Sequence, residues 1–349
     1  MPRAPKRPLI YSEKINTPKE LARFATPEEA AVYRAERLKC DRLAEIGSGI
    51  AAQTMAFSLV CKKVLGIEID PISLRIAKNN LKKAGAKNTE VIEGDALDEN
   101  LIQKVEEFRP EIIFCDTQRP EKSKRTLSEI KPDIFSLLEK YSRITDKIAI
   151  EIPPYTDDIE RLSRKFPLEK EFISINGKLN RLTLYFNSLR TCEVSIVEVR
   201  TKEKISGTPK KSKDKNCEFS DAPKIGMYLG IINPAVALSG MTSNLCEKLD
   251  SKIIPLDGKD YFISDSPKKT SFIEYYEILG ISEAKEESVS KELGRLNAKD
   301  AVIRYRISPG SYWKERKNLE RGLNGSRTVH IFNYQGKKIF CERWANTAN

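Results

Sequence analysis

The fold of this chain is decided by the stretch Leu43-Ala44-Glu45-Ile46-Gly47-Ser48-Gly49-Ile50-Ala51-Ala52-Gln53. Its apolar start predicts a β-strand, and its glycines predict a turn from which a helix begins. The later run Leu65-Gly66-Ile67-Glu68-Ile69-Asp70-Pro71 predicts the next strand, with acidic residues at its end. Glycines let a backbone approach a ligand closely, and a carboxylate at the second strand end can accept hydrogen bonds from ribose hydroxyls. The two runs together predict a nucleotide-type pocket.

Strand and helix patterns alternate on both sides of this turn. The first helix is expected to begin with Thr26 as its N-cap. Apolar strands are predicted at residues 43–46, 64–69, 89–92, 111–115 and 147–152, with helical patterns between them. Further β-type runs, which are expected to complete the sheet with antiparallel strands, lie at residues 172–175, 182–186 and 193–199. This order predicts an α/β fold with a mainly parallel sheet that helices cover on both faces.

Composition divides the chain into four segments. Residues 1–24 are basic and rich in proline, which predicts an extended arm, and residues 25–200 hold the α/β pattern. Residues 201–224 carry many lysines among Ser, Gly and Pro, which is typical of a linker or loop. Mixed helix and strand patterns predict a smaller α+β domain over residues 225–349.

The charge and cysteine content narrow the function class. A net charge of +11 over 349 residues favours a polyanionic partner over a merely solvated charged surface. No apolar run is long enough to span a bilayer, and the N-terminus lacks an apolar signal core, so we expect a cytoplasmic protein without a membrane partner. The seven cysteines lack metal-ligand spacing, and we expect no metal.

Two ligands compete for the glycine turn. The turn satisfies the loose dinucleotide pattern, which leaves an NAD-dependent oxidoreductase as one alternative. Glu45 favours S-adenosylmethionine, because a carboxylate there would repel a pyrophosphate but can face a sulfonium and an ammonium. Glu68 at the second strand and Asp95 after the third are placed for ribose hydroxyls and an adenine amino group.

At these residues the sequence resembles the class I S-adenosylmethionine-dependent methyltransferases. The resemblance runs from about residue 26 to residue 199 and departs from the commonest motif at Ala51, where a third glycine is frequent. It implies a Rossmann-like sheet of the seven-stranded type and S-adenosylmethionine as cofactor. The cofactor-binding residues that it implies are Glu45, Gly47, Gly49, Glu68, Asp70, Asp95 and Asp116.

A more specific resemblance is to class I methyltransferases that carry a C-terminal THUMP-like domain. It rests on Asp116-Thr117-Gln118-Arg119 and Lys124-Arg125 after the fourth strand, and on Ile231-Ile232-Asn233-Pro234-Ala235-Val236 at the start of the second domain. The family typically has Asp-Pro-Ala-Arg-Arg at the fourth strand, so the motif here is degenerate. The resemblance covers nearly the whole chain and implies RNA binding, with tRNA favoured and rRNA as the alternative.

The residues expected near the reacting atoms follow the fourth strand. Asp116 can orient or deprotonate a ring nitrogen, and Arg119 is expected to be catalytic beside it, although methyl transfer mainly needs alignment. Lys124 and Arg125 are expected to bind RNA phosphates, with a solvated loop as the competing interpretation. The run Ile152-Pro153-Pro154-Tyr155 is interpreted as a strand terminator.

In the C-terminal part, basic and aromatic residues alternate. Arg304, Arg306 and Trp313 are suited to phosphate contact and base stacking, and the competing interpretation is a strand with a buried aromatic face. The sequence thus predicts an S-adenosylmethionine-dependent RNA methyltransferase that acts in tRNA processing. The degenerate motif at Asp116 keeps open a catalytically weak RNA-binding or assembly factor on the same fold.

Overall fold

The computed structural model describes residues 26–118, 126–210, 217–218 and 221–345. The chain divides into two compact units, of which the first ends at Thr208 and the second begins at Pro209. This division lies beyond residue 200, because Glu203–Gly207 is a strand that pairs with the sheet of the first unit. The stretch predicted as a linker over residues 201–224 therefore begins with an element of the first unit.

The first unit is built around a nine-stranded sheet. Its strands, β1 to β9 in chain order, are Arg42–Ile46, Lys63–Glu68, Thr89–Glu93, Ile112–Asp116, Ile148–Ile152, Leu168–Ile175, Lys178–Phe186, Val194–Glu198 and Glu203–Gly207. They lie in the order β3-β2-β1-β4-β5-β7-β6-β8-β9. Strands β1 to β5 are parallel, and β7 is antiparallel to both β5 and β6. The predicted α/β fold is confirmed, and β8 and β9 extend the sheet beyond seven strands.

Helices connect the parallel strands of this sheet. In the described part of the unit, α1 to α6 are Glu28–Arg37, Ala52–Ser58, Pro71–Ala84, Glu99–Phe108, Ile134–Tyr141 and Ile159–Lys165. The expectation that Thr26 caps α1 is wrong, because Pro27 holds the N-cap position and no side chain caps the helix. The Asp70 carboxylate caps the first turn of helix α3, and Gly85 ends the helix in the left-handed conformation.

The second unit is a smaller α+β unit around a seven-stranded sheet. Its strands, β10 to β16, are Tyr228–Ile232, Lys252–Leu256, Lys259–Ser264, Ile273–Glu283, Ala298–Ile303, Arg327–Tyr334 and Lys337–Arg343. Its helices, α7 to α10, are Pro234–Ser239, Thr242–Leu249, Glu286–Arg295 and Pro309–Leu319. Strands β15 and β16 pair antiparallel and form a C-terminal hairpin. The interpretation of the Trp313 region as a strand is wrong, because Pro309 opens a helix there.

In the first unit, buried parallel strands end together at one edge of the sheet, where a ligand can bind. Strand β1 is buried over Leu43–Ile46, and the central strand β5 is buried along its whole length, as in sheets that are covered on both faces. Because β1, β2 and β4 are parallel, their carboxyl ends meet at the same edge. In open α/β sheets, ligands bind at that edge.

Candidate active site

The turn between β1 and α2 is fixed by its two neighbouring strands. The amides of Gly47 and Ser48 donate to the Ile67 carbonyl oxygen at 2.9 and 3.0 Å. Gly47 has φ +77°, and a Cβ atom there would lie 2.3 Å from the carbonyl oxygen of Asp116. Only glycine satisfies both conditions, so the turn lies directly against the end of β4. Ala51, where the family often has a third glycine, also adopts a left-handed φ of 71°.

The carboxylate of Glu68 supports this turn from the end of β2. Its Oε2 accepts a hydrogen bond from the Gly49 amide at 2.6 Å, and its Oε1 accepts one from the Asp70 amide at 2.9 Å. A carboxylate has about four lone-pair positions, so both oxygens can still accept bonds from ligand hydroxyls. Glu68 therefore lies beside the glycine turn, and its role toward ribose hydroxyls remains a prediction.

Glu45 is a buried carboxylate beside the same turn. Its side chain is 1% exposed, and neither oxygen has a hydrogen-bond partner among the described residues. Burial raises the pKa of Glu45 to about 8, the nearby Thr54 hydroxyl opposes the rise, and Asp116 adds to it. A buried carboxylate without a partner is costly unless a cation meets it, and S-adenosylmethionine carries both a sulfonium and an ammonium. The residues present therefore fit this cofactor.

A cavity at this edge brings together several of the predicted residues. Those that line it are Glu45, Gly47, Gly49 and Asp116. Sequence reasoning assigned no site role to other lining residues, which include Thr26, Ser48, Gln53 and Ser73. The sequence indicates that some of these residues lie near the cavity only through their neighbours in the chain. Ser48 and Gln53 belong to the glycine stretch, and Ser73 belongs to the first turn of α3.

Glu68, Asp70 and Asp95 are not among the described residues that line the cavity. The Asp70 carboxylate accepts bonds from the Ser73 hydroxyl at 2.7 Å and the Ser73 amide at 2.9 Å, and the hydroxyl bond is the main cause that lowers its pKa. Asp95 is exposed and accepts a bond from the Leu97 amide at 2.9 Å. Their roles toward the cofactor remain predictions. Ile69, which lies between Glu68 and Asp70, is 64% exposed at the end of β2, and the sequence pattern assigns it no role.

The expected target side lies at the ends of β4 and β5. Asp116 is half-buried and pairs in register with Glu151, whose carbonyl oxygen accepts a bond from the Thr117 hydroxyl at 2.7 Å. Tyr155 is 58% exposed in a turn beyond β5. Cys115, the neighbour of Asp116 in β4, is fully buried, and burial raises the pKa of its thiol. The residues predicted to act with Asp116 lie outside the described residues: Arg119, Lys124 and Arg125.

Behind the cavity, a buried arginine holds one of the lining residues. The guanidinium of Arg34 is fully buried, donates to the Gln53 side-chain oxygen at 2.7 Å and forms an ion pair with Glu151. Although burial opposes its charge, Glu151 raises the pKa of Arg34. The other oxygen of Glu151 pairs with Arg181 at 2.7 Å. This network links α1 to the strand beside β4.

The C-terminal residues predicted to bind RNA occupy different surroundings. Arg304 is half-buried, and it donates to His330 Nδ1 at 3.1 Å and to the Tyr276 hydroxyl at 2.9 Å. Burial lowers the pKa of His330 to about 4, so this packed histidine is a neutral acceptor at pH 7. Arg306 is exposed, and Trp313 is 70% exposed on α10. Their roles toward RNA remain predictions.

Two further findings concern possible membrane and metal sites. None of the helices in the described ranges combines the length and the apolar character that crossing a bilayer requires. Among the same residues, no group of three or more His, Cys, Asp or Glu side chains is placed to hold a metal ion.

The parallel sheet, the glycine turn against β4 and the carboxylates at the ends of β1 and β2 together define a class I methyltransferase. No protein-family model matches the chain. Trimethylguanosine synthase of Schizosaccharomyces pombe is 30% identical over 178 residues, which cover 46% of this chain and 74% of that protein. The chain belongs to the family of S-adenosylmethionine-dependent methyltransferases that includes this synthase.

Other relatives agree with this assignment. A protein of Sulfolobus acidocaldarius described as a cobalt-precorrin-6B C(15)-methyltransferase (decarboxylating) is 25% identical over 155 residues, 43% of this chain and 73% of that protein. The crystal structure of a candidate methyltransferase from Porphyromonas gingivalis W83 has a TM-score of 0.74, covers 94% of this chain and 83% of its own, and is 15% identical. That likeness shows the fold alone. S-adenosylmethionine is the cofactor, which decides between the two ligands left open by the glycine turn.

Proposed function

We propose that this protein transfers the methyl group of S-adenosylmethionine to a base in RNA, with tRNA as the favoured substrate and rRNA as the alternative. The observation that carries the proposal is the contact of the glycine turn with β4. Because Gly47 lies against the Asp116 carbonyl, a ligand on the turn and a base beside Asp116 would be neighbours. Alignment of this kind supplies most of what methyl transfer requires.

Four residues at this edge of the sheet have a role in this proposal. The cofactor supplies an electrophilic methyl group on a sulfonium. Glu45 would face the cationic methionine end, Glu68 would accept bonds from the ribose hydroxyls, and the exposed Ile69 would cover an apolar ring. Asp116 would hold the acceptor nitrogen in line and accept its proton as the new bond forms.

The RNA substrate is supported by charge and by likeness. The relative from Schizosaccharomyces pombe is named for the synthesis of trimethylguanosine, a methylated nucleoside. The net charge of +11 favours phosphate contacts, and the exposed Tyr155 follows the strand next to β4, where an unpaired base could stack on it. We propose that the C-terminal unit is THUMP-like and engages the RNA, while the first unit holds the cofactor.

A test should separate binding from transfer. Glu68→Ala is expected to weaken the binding of S-adenosylhomocysteine in calorimetry, while Asp116→Ala spares binding and abolishes methyl incorporation into tRNA and rRNA. Glu90→Ala, which removes an exposed carboxylate of β3, serves as the matched control and should change neither quantity. Equal loss of binding in the Glu68 and Asp116 variants would contradict the division of roles.

A second candidate function rests on the degenerate motif after β4. The family commonly has proline after the aspartate, and this chain has Thr117, whose amide and hydroxyl are both directed to the Glu151 carbonyl. In this second function, the protein would bind the cofactor and RNA and assist RNA assembly, but it would transfer the methyl group inefficiently. Tight binding of both ligands with no methylated product from any RNA would favour it.

A further inference from the structure

Helix α10 is attached to its sheet in an unusual way. No residue of α10 is buried, whereas a surface helix normally covers an apolar stripe. Polar contacts help to hold it: Glu320, the residue that follows it, accepts a bond from the Ala301 amide at 3.0 Å, and Glu315 accepts one from the Tyr305 hydroxyl at 3.0 Å. Partly buried Leu319 packs against the core cluster below. The acidic side chains of this segment are thus occupied by contacts within the unit.

The opposite side of the same segment is basic and carries a large aromatic ring. Trp313 is 70% exposed, and the Arg316 guanidinium lies 5.7 Å from the centre of its ring. A groove runs beside the ring and is lined by Lys317 and Arg321, and also by Glu320, whose carboxylate pairs with Arg316 at 2.8 Å. A single exposed ring is common on protein surfaces, but an indole beside cations has the composition that base stacking and phosphate contact require. We call Trp313, Arg316, Lys317 and Arg321 the Trp313 face.

We propose that the Trp313 face binds unpaired nucleotides of RNA, with a base stacked on the indole and phosphates on Lys317 and Arg321, the two cations of the face that are exposed. Every base offers a flat face to an aromatic side chain, and Arg and Lys pair with phosphates, so the composition matches a single strand. A membrane would require more apolar area than one ring provides. The inference rests on the proposed RNA substrate and assigns part of its recognition to a helix of the second unit.

The proposal also changes which basic residues of the second unit are expected to bind RNA phosphates. Arg304 already donates to His330 and Tyr276, so its replacement should disturb the packing of the second unit rather than a phosphate contact. Lys317 and Arg321 are exposed, and their removal leaves the fold unchanged while it removes positive charge from the groove. Sequence reasoning identified Trp313 but not these two cations, because helical spacing places them beside the ring.

Fluorescence of the full chain can test this directly. The chain has two tryptophans, and Trp344→Phe leaves Trp313 as the sole reporter. Titration with a short oligouridine should quench the remaining emission with saturation, and affinity should fall as salt rises. The double substitution of Lys317 and Arg321 by Ala should weaken the affinity about tenfold, because each lost phosphate contact reduces it. Lys248→Ala, an exposed cation of α8, is the matched control and should have no effect.

Several outcomes would overturn the proposal. Absence of quenching, or stronger quenching by polyglutamate or by anionic vesicles, would show that the face has another occupant or none. Trp313→Leu removes the reporter, so its binding is measured by the anisotropy of a labelled oligouridine. An unchanged unfolding midpoint of this variant would show that lost binding is not lost folding. If methyl transfer to RNA persists without quenching, this inference fails and the proposed function stands. If quenching occurs without transfer to any RNA, the proposed function fails instead.

Discussion

Glu45 is a single residue that links the stability of the protein to its ligand. Its carboxyl group is buried without a partner among the described residues, and burial raises its pKa to about 8. Near neutral pH, the ligand-free protein therefore holds a proton there that a bound cation would displace. A dinucleotide pyrophosphate would gain nothing from this group, whereas a sulfonium or an ammonium would.

The raised pKa of Glu45 predicts the pH dependence of stability. Between about pH 4.5 and 8, the folded protein holds a proton that the unfolded chain has lost, so the free energy of unfolding should fall as pH rises. Glu45→Gln should flatten this slope in denaturant titrations. His330 adds an opposite slope below pH 6.5 in both proteins, because burial lowers its pKa to about 4, and it cancels in their difference. A slope that Glu45→Gln leaves unchanged would contradict the assignment.

Gly47 and Gly49 offer a matched pair for the turn geometry. Both have positive φ, but a Cβ atom on Gly47 would meet the Asp116 carbonyl at 2.3 Å, whereas one on Gly49 would meet nothing within 4 Å. Gly49→Ala should cost about 1 kcal/mol of unfolding free energy from the backbone conformation alone. Gly47→Ala should cost about 2 kcal/mol more, because the end of β4 must shift. Equal losses in denaturant titrations would show that the turn does not lie against β4.

At the residue scale, the sequence predicts only those site residues whose positions follow from a motif close to them in the chain. Glu45, Gly47 and Glu68 were predicted because a glycine turn and two strand ends fix their places. Gln53 could not be assigned a site role, because its position depends on Arg34, which the fold brings from α1. Contacts between residues far apart in the chain leave no periodic signal.

At the scale of elements, several ion pairs join α1 to the sheet region, and two of them differ strongly in burial. Arg34 pairs with Glu151 in the interior, and Arg200 pairs with Glu29 at the surface, where their side chains are 52% and 41% exposed. Replacing Arg34 by Met should cost about 3 kcal/mol, because it removes one partner of a buried carboxylate that keeps Arg181. Arg200→Ala should cost less than about 1 kcal/mol. Denaturant midpoints of the two variants measure the contrast, and similar losses would contradict it.

The elements differ in how far sequence pattern determines them. The apolar strands β1, β2, β4 and β5 were predicted within a residue or two, because buried parallel strands leave short apolar runs. Strand β9 was placed in a linker, because Glu203 and Lys204 are typical of exposed segments and the strand is at the sheet edge. The Trp313 region was left between two interpretations, since aromatic residues favour strands and only Pro309 marks a helix start.

For the whole molecule, the two compact units predict two unfolding steps. Residues of the cofactor cavity all lie in the first unit, so S-adenosylhomocysteine should raise the midpoint of one thermal transition and leave the other unchanged. Scanning calorimetry with and without the ligand measures this. A chain ending at Thr208 should show only the ligand-sensitive transition. A uniform shift of a single transition in the full chain would show that the units unfold together.

The central claim concerns the whole molecule, because it requires a cofactor site in one unit and an RNA substrate for a chain of net charge +11. The most direct test uses RNA from cells that lack the protein, incubated with the purified chain and S-adenosylmethionine, with the nucleosides measured by mass spectrometry. One methylated base that is absent before incubation should appear, and Asp116→Ala should fail to form it. RNA from cells that contain the protein should gain little of that base. If the protein binds the cofactor yet no new methylated nucleoside forms in any RNA, the claim is wrong.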